Sequence, residues 1–282
     1  MHETLNNLYA VIVLYKTDLQ SCHTFNSLLK AAQFQHGVLG LLLYNNSPDV
    51  KIDISIYENS NVHIKVVEDM QNSGVSKAYN TAYIFANELK KKWLLLLDQD
   101  TLLPENFFTD FFAQRKLDVN NMDRLYFPII LSKDKIISPA TYIPYRGIIK
   151  EKVEPGYQDI RKLAIINSGT IIDLSLFNAA GGFNEAVALD FSDVSFFRRV
   201  KHIQNSGMLL DVKCIHGFSG VEYDDYEKIM HRFKIFNQNA IAFSKEKGVR
   251  KGYVFTTVFI RAINLSLRFK TLSFLKEIKF SF

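Results

Sequence analysis

Continuous apolar runs alternate with amphipathic stretches over the first hundred residues of the chain. The runs predict strands at 8–15, 38–44 and 93–97, the last of which is too short for an ordinary helix, and the alternating residues 62–67 predict another strand. Helical spacing at 18–35 and 75–91 separates these strands. The expected core residues of the first helix are Leu19, Phe25, Leu28, Leu29 and Phe34. This strand and helix order predicts a parallel sheet with right-handed crossovers.

The pattern is less regular in the second half of the chain. It predicts strands at 126–130 and 164–167, and hairpins and loops over the proline-containing stretch 132–162. A helix is expected to begin close to Asp193, and everything from Tyr226 onward has a helical pattern. We therefore expect one α/β domain followed by a helical extension.

Charge divides the chain at the same place. Residues 226–282 contain 12 Lys and Arg against 3 Glu, whereas residues 1–225 contain 22 basic and 26 acidic side chains. The predicted organisation is a domain at 1–225, with a nucleotide-binding half at 1–100 and an acceptor half at 101–225, and a basic helical region at 226–282. A basic tail on a slightly acidic body indicates an anionic partner for the tail.

The remaining bulk properties narrow the class of protein. Two distant cysteines, Cys22 and Cys214, form no disulfide framework and no cysteine zinc site, which suits a reducing compartment. The first residues lack a signal-peptide pattern, and no apolar run reaches 18 residues, so no transmembrane helix is expected. No recognised nucleic-acid module is present either, which argues against a nucleic-acid partner.

Asp98 and Asp100 directly follow the most apolar predicted strand. Ligands of open α/β sheets bind at the carboxyl ends of the strands, and carboxylates suit Mg²⁺ or Mn²⁺, which in turn suit a diphosphate. The alternative is a polar turn ahead of a helix that opens near Pro104. The position after a buried strand favours a metal-dependent enzyme that uses a nucleotide-activated substrate.

A series of short motifs follows the predicted elements in order. The series, together with the first strand ending at Tyr15, resembles family 2 glycosyltransferases of the GT-A fold, especially bacterial rhamnosyltransferase-like members that build surface polysaccharides such as O-antigen or capsule. The resemblance covers roughly residues 8 to 220. Its motifs are Asn45-Asn46-Ser47, Asn72-Ser73-Gly74 through Asn80, Asp98-Gln99-Asp100, Asn167-Ser168-Gly169, Gly181-Gly182-Phe183-Asn184-Glu185, Asp190 through Asp193 ahead of Arg198 and Arg199, and His216-Gly217-Phe218-Ser219-Gly220.

The resemblance implies a role for each acid. Asp100 would hold Mn²⁺ or Mg²⁺, His216 would complete the metal site, and Asp98 would face the nucleotide. Asp193 best matches the base that takes the acceptor proton, with Asp190 as a second candidate. Structural alternatives stay open, because His216 suits packing beside a glycine-rich turn and Asp193 suits the N-cap of its helix.

Donor binding is expected from the ends of the first strands. Tyr15, Asn45, Gly74 and Lys77 match donor-binding positions, and the helix amino end at 75–76 is expected to face phosphate. A simple capped helix with a solvated Lys77 is the alternative. Two departures matter: Asn45 stands where the family often has Asp, which leaves the base preference open, and Ser195 stands where a second acid often follows the base.

The expected activity is inverting transfer of a hexose or deoxyhexose from a nucleoside diphosphate sugar, with UDP or dTDP as the nucleotide. The resemblance implies a growing glycan or a polyprenyl-diphosphate-linked acceptor. One rival is a catalytically silent glycan- or membrane-binding module. A nucleotidyltransferase is a second rival, but it usually needs a glycine-rich phosphate loop after the first strand, which Tyr15-Lys16-Thr17-Asp18 is not.

The basic tail has two interpretations. Its aromatic and basic composition suits the interface of an anionic leaflet, whereas Arg261 in mid-segment argues against a spanning helix. The alternative is packing on the catalytic domain with a solvated basic face. The first interpretation predicts a cytoplasmic protein, peripheral on the inner face of a bacterial cytoplasmic membrane.

Overall fold

The computed structural model describes residues 4–47, 49–57, 61–118, 124–217 and 225–279. Its strands are β1 (Leu8–Leu14), β2 (Leu39–Asn45), β3 (Val62–Glu68), β4 (Trp93–Asp98), β5 (Thr101–Leu102), β6 (Leu125–Ser132), β7 (Lys135–Ile143), β8 (Arg146–Lys150), β9 (Gly156–Asp159), β10 (Leu163–Ala164), β11 (Thr170–Asp173) and β12 (Ser206–His216). Its helices are α1 (His23–Gln33), α2 (Val75–Glu88), α3 (Phe107–Leu117), α4 (Leu174–Ala179), α5 (Ser192–Ile203), α6 (Tyr226–Ser244), α7 (Lys251–Arg268) and α8 (Ser273–Lys276).

The first four strands form the predicted parallel sheet, in the order β3-β2-β1-β4. Their register brings Val13 opposite Asp98 and Leu14 opposite Asn45, so β1, β2 and β4 end at one edge. Residues 93–97 are fully buried, as expected for a central strand covered on both faces. The α/β class is confirmed, and the polar residues that follow these strands share one end of the sheet.

Antiparallel strands extend this sheet in the second half of the chain. β11 runs antiparallel between β4 and β6, and β12 runs parallel to β6. The carboxyl end of β12 then pairs with the short strand β5, with His216 opposite Thr101. This pairing returns the end of β12 to the turn after β4.

Several predicted boundaries are wrong for identifiable reasons. The first helix begins at His23 rather than near residue 18, because Asp18 instead holds a tight turn by accepting from the Ser21 N–H at 2.9 Å. Phe34 lies past the end of this helix and is 68% exposed, so it is not a core residue. The strand predicted at 164–167 is confined to β10, whereas the stretch 132–162 forms the predicted hairpins through β7 and β8.

The C-terminal helices α6 and α7 pack on the preceding part of the chain through a separate aromatic cluster. The Tyr145 ring lies 5.2 Å from that of Phe243, and the Phe191 ring lies 5.1 Å from that of Phe236. Arg261, in the middle of α7, stacks over the Phe236 ring at 4.1 Å. Among the described residues, no helix is long and apolar enough to cross a membrane.

Candidate active site

Asp98 and Asp100 flank a turn at the end of β4 that is tied to its surroundings from several sides. The Tyr79 hydroxyl donates to Asp98 Oδ1 at 2.7 Å, and the Asp98 N–H donates to Ser168 Oγ at 3.0 Å. Burial raises the pKa of Asp98, the His216 charge and the Tyr79 hydrogen bond oppose this, and Asp100 adds to it. Two neighbouring negative charges at this turn repel each other, so a bound cation would stabilise the ionised form of the pair.

Thr24 and Gln99 fix this turn to the first strand and helix. Thr24 Oγ1 donates to the Asp98 carbonyl at 2.7 Å and accepts from the Thr101 N–H at 2.7 Å. The Gln99 side chain accepts from the Tyr15 N–H at 2.6 Å and donates to the Tyr15 carbonyl at 3.1 Å. Both roles depend on contacts more than seventy residues apart in the chain, so no local sequence signal indicates them.

His216 and Asp100, the two predicted metal ligands, lie side by side. His216 Nδ1 is 3.4 Å from Asp100 Oδ1 and 2.8 Å from Thr101 Oγ1, and the Gly217 N–H donates to the Asp100 carbonyl at 3.1 Å. Because His216 Nδ1 is bonded to Thr101 Oγ1, the imidazole would offer its other nitrogen, Nε2, to a divalent ion shared with Asp100. Phe218, Ser219 and Gly220 of the same motif lie outside the described residues.

The described residues alone do not form a complete cage for such an ion. Within the described ranges, no group of three or more His, Cys, Asp or Glu side chains is placed to hold a metal. Mg²⁺ in nucleotide sites is usually bound by one or two carboxylates, with substrate phosphates and water as the other ligands. The pair Asp100 and His216 matches that kind of partial site.

Asp193 lies in the first turn of α5, close to the acids of β4. Its Oδ1 accepts from the Val194 N–H at 2.7 Å, and the N-cap of the helix is Phe191 rather than Asp193. Burial raises the pKa of Asp193 to about 6, with smaller contributions from Asp190 and Asp98. A carboxylate with a pKa near the working pH has the property that a general base needs.

Asp190, the second candidate base, is held in an ion pair. Both Arg232 Nη atoms donate to its carboxylate, with Nη2 to Oδ1 at 2.8 Å, and the Asp190 side chain is 13% exposed. Both oxygens of this carboxylate accept from the guanidinium, which leaves them less available to an acceptor hydroxyl. The geometry therefore favours Asp193 over Asp190 as the base.

The donor-side residues divide into exposed and internally bonded ones. Tyr15 is 46% exposed at the end of β1, whereas Asn45 is buried. Asn45 Nδ2 donates to the Val50 carbonyl at 2.7 Å and to Glu68 Oε2 at 2.6 Å, while its Oδ1 accepts from the Ser47 N–H. Because both amide hydrogens are bonded within the protein, Asn45 shapes the wall of the site.

The amino end of α2 does not face an open phosphate site as predicted. The Val75 N–H donates to the Ala188 carbonyl at 2.8 Å, and Ser76 Oγ donates to the Val187 carbonyl. Gly74 has a φ of 90°, and a Cβ there would lie 2.3 Å from the same Ala188 oxygen. The close approach that Gly74 permits is to the segment ahead of Asp190, while Lys77 is half-buried in the following turn.

Asp69 is a further ordered acid that the sequence reasoning missed. It accepts from the Tyr44 hydroxyl at 3.0 Å, the Gln71 N–H at 3.0 Å and the Ser73 N–H at 2.8 Å. These bonds shape the loop between β3 and α2. Its position directly after a predicted strand was the available signal.

A cavity of about 190 Å³ adjoins Asp193 between α5 and the β7–β8 hairpin. Its walls are mostly apolar, including Ile137, Ile149 and Val194, with Tyr142 and Lys201 as polar members. Lys201 Nζ donates to the Leu163 carbonyl at 2.6 Å and lies 3.9 Å from the centre of the Tyr142 ring. Burial lowers the pKa of Lys201 to about 8. This cavity has room for a small group beside Asp193.

The parallel sheet, the acid-containing turn after β4 and the base-bearing helix together form a GT-A-like arrangement. No family model matches the chain. A curated relative, the dTDP-rhamnosyl transferase RfbF of Shigella flexneri, is 22% identical over 287 residues, which cover 95% of this chain and 88% of the relative.

Solved structures show the same fold at low sequence identity. The crystal structure of S. aureus TarS has a TM-score of 0.52 and 13% identity, over 92% of this chain and 44% of TarS. TarS 1–349 in complex with UDP-GlcNAc has a TM-score of 0.51 and 12% identity, over 88% of this chain and 69% of that one. These comparisons confirm the GT-A-like fold and the resemblance to glycosyltransferases that the motifs predict.

Proposed function

We propose that this protein is a nucleotide-sugar glycosyltransferase of cell-surface glycan synthesis. The observation that carries the proposal is the convergence of Asp98, Asp100, His216 and Asp193 at one end of the sheet, beside an open cavity. A half-buried carboxylate of raised pKa and a partial cation site are the two groups that this transfer needs. A relative named as a dTDP-rhamnosyl transferase over nearly the whole chain supports the same function.

The proposed donor is a dTDP- or UDP-linked hexose or deoxyhexose. The curated relative acts with a dTDP sugar, and one structural neighbour holds UDP-GlcNAc. Asp100 and His216 would hold Mn²⁺ or Mg²⁺, which when bound neutralises the charge of the leaving diphosphate. Tyr15, at the exposed end of β1, and Asp98 line the donor side of this site.

Asp193 performs the acid-base part of the proposed reaction. It takes the proton of an acceptor hydroxyl while that oxygen forms a bond to the anomeric carbon of the sugar. The bond between that carbon and the diphosphate oxygen breaks, and the diphosphate leaves with the electron pair. Attack opposite the leaving group inverts the anomeric centre, and the transition state has oxocarbenium character.

The acceptor is proposed to enter from the cavity beside Asp193 and to be a growing or polyprenyl-diphosphate-linked glycan. A membrane-bound acceptor agrees with the outer face of the C-terminal helices. Leu267 is 72% exposed and Leu272 65% exposed, among the cations Arg268, Lys270 and Lys276. An exposed apolar and basic surface suits an anionic leaflet. We infer a peripheral protein of the inner face of a bacterial cytoplasmic membrane.

A nucleotide-binding experiment tests the donor site. Thermal unfolding is measured with UDP, dTDP, GDP and CDP, each with and without Mn²⁺, in the wild type and in Asp100→Ala. Metal-dependent stabilisation by UDP or dTDP that is lost in Asp100→Ala is expected, because a ligand that binds only the folded state raises its stability. Asp159→Ala, at a partly exposed acid paired with Arg161, is the control. Stabilisation by none of the four nucleotides would favour a catalytically silent module.

A vesicle experiment tests the membrane surface. Co-sedimentation with vesicles rich in phosphatidylglycerol is expected, with release at high salt, whereas pure phosphatidylcholine vesicles should bind weakly. Leu267→Glu with Leu272→Glu should abolish binding. Leu117→Glu, at a residue 74% exposed at the end of α3, is the matched control. Equal binding by the double variant would remove this face from the proposal.

A further inference from the structure

Three polar residues of the C-terminal region face the segment that contains Asp193. Arg232 and Asn239 lie in α6, and Glu246 lies in the turn after it, at spacings of seven residues. Seven residues are close to two helical turns, so such side chains share one face of the helix and its continuation. This line contacts residues 184–198 at several points.

The first two members of the line hold the backbone and the acid that precede α5. Arg232 pairs with Asp190 through both guanidinium nitrogens. Asn239 is 6% exposed, and its Oδ1 accepts from the Leu189 N–H at 3.0 Å. The approach to the base-bearing helix is therefore bonded to α6.

Glu246 holds the helix itself. Its Oε1 accepts from Ser195 Oγ and from Asn184 Nδ2, the latter at 2.8 Å, and its Oε2 accepts from Arg198 Nη2 at 3.0 Å. The Glu246 side chain is 10% exposed. Bonds to residues 195 and 198 restrain the first turns of α5 from the side of α6. The Glu246 carboxylate thus contacts Ser195. At position 195 the family resemblance leads one to expect an acidic residue instead of serine.

We propose that Glu246 is a positioning residue for Asp193, and that the line Arg232, Asn239 and Glu246 makes the C-terminal region a part of the active site. This inference rests on the proposed function, in which Asp193 is the base. Since Asp193 and Ser195 share one helical turn, restraining Ser195 and Arg198 also restrains the direction of the Asp193 carboxylate. An error of 1 Å in the placement of a reacting group can lower a rate by about a hundredfold.

Steady-state transfer tests the role of Glu246. Glu246→Gln and Ser195→Ala are compared with Glu277→Gln, whose acid pairs with Lys234 and Lys279 elsewhere in the C-terminal region. Glu246→Gln and Ser195→Ala should each lower kcat by about tenfold to a hundredfold and leave the donor KM within about twofold. The double variant should lose less activity than the two single effects combined, because both changes weaken the contact between Glu246 and Ser195. Glu277→Gln should keep wild-type kcat. Wild-type kcat in Glu246→Gln and Ser195→Ala, or additive losses in the double variant, would overturn the proposal.

A second readout does not depend on transfer. The titration of the Asp193 carboxyl is followed by ¹³C NMR of the folded protein and identified by its absence in Asp193→Asn. Ser195→Ala keeps every charge, including those of Asp190, Asp98 and Lys201 near Asp193, so a shifted midpoint of Asp193 in this variant reports altered placement. An unchanged midpoint, with unchanged amide exchange over 192–198, would contradict the positioning role. A wild type without transfer would refute the proposed function, whereas this titration would still decide the placement.

Discussion

The two acid pairs of the site, Asp98 with Asp100 and Asp190 with Asp193, are each separated by only one or two residues but lie in different environments. Asp98 is bonded to the Tyr79 hydroxyl, and Asp100 lies beside His216. Asp190 is bound by Arg232, whereas burial raises the pKa of Asp193 to about 6. The surroundings of each carboxylate, more than its type, underlie the roles proposed for these acids in cation binding, ion pairing and proton transfer.

The largest effect is expected from removing the proposed base. Asp193→Asn should lower transfer by about a thousandfold, because an amide cannot take the acceptor proton. Donor binding, measured by nucleotide titration, should stay close to that of the wild type. Full transfer by this variant would show that Asp193 is not the base and that its role is structural.

Removing the proposed metal ligand Asp100 should lower transfer less than removing Asp193, and it should also change how transfer depends on metal. Asp100→Ala should lower transfer by about a hundredfold and flatten its dependence on Mn²⁺ concentration, because one of the two proposed ligands is lost. His216→Ala should reproduce that flattening. A metal dependence identical to that of the wild type in both variants would show that Asp100 and His216 are not ligands of the metal.

The raised pKa of Asp193 predicts how transfer depends on pH. The base must be deprotonated, so kcat/KM should rise about tenfold per pH unit below about 6 and level off above it. The measurement is a pH profile of the wild type, with Asp190→Asn as a comparison that keeps Asp193. A limb centred near pH 4 instead would mean that burial does not raise the pKa of Asp193.

The same shift predicts a stability change of opposite sign. The pKa of Asp193 is higher in the folded state than its ordinary value of 3.8, so the folded protein binds more protons between about pH 4 and 6 and loses stability as pH rises through that window. Asp193→Asn removes the buried charge and should be more stable than the wild type at pH 7.5, by about 1 to 3 kcal/mol. Denaturant unfolding at pH 4 and pH 7.5 checks this, and a less stable variant at pH 7.5 would contradict it.

The smallest effect on catalysis is expected from the ion-paired acid. Asp190→Asn should lower transfer by less than about tenfold and destabilise the protein by about 1 kcal/mol, since Arg232 is 40% exposed and water replaces part of the lost pair. Thermal unfolding and kcat measured together test this. A loss of transfer as large as that of Asp193→Asn would reverse the assignment of the two acids.

Local pattern predicted the elements of residues 1–100 well because three of the four strands of their parallel sheet, β1, β2 and β4, are buried on both faces. The strand predicted at 93–97 and the helix expected close to Asp193 match β4 and α5 to within one residue. Phe34 was misplaced because helical spacing alone does not show where a helix ends. The amino end of α2 was misread because nothing near Gly74 indicates that Ala188 occupies it.

By itself the sequence determined the strands of the first hundred residues and the acids that follow them, because apolar periodicity and turn residues are local properties of the chain. Only the tertiary structure decided what those acids meet. The pairing of His216 with Thr101 brings an imidazole to Asp100, and α6 brings Arg232 to Asp190 and Glu246 to Ser195. Proton affinity depends on burial and on charges within a few ångströms, and residues forty or more positions apart become such neighbours only when the chain is folded.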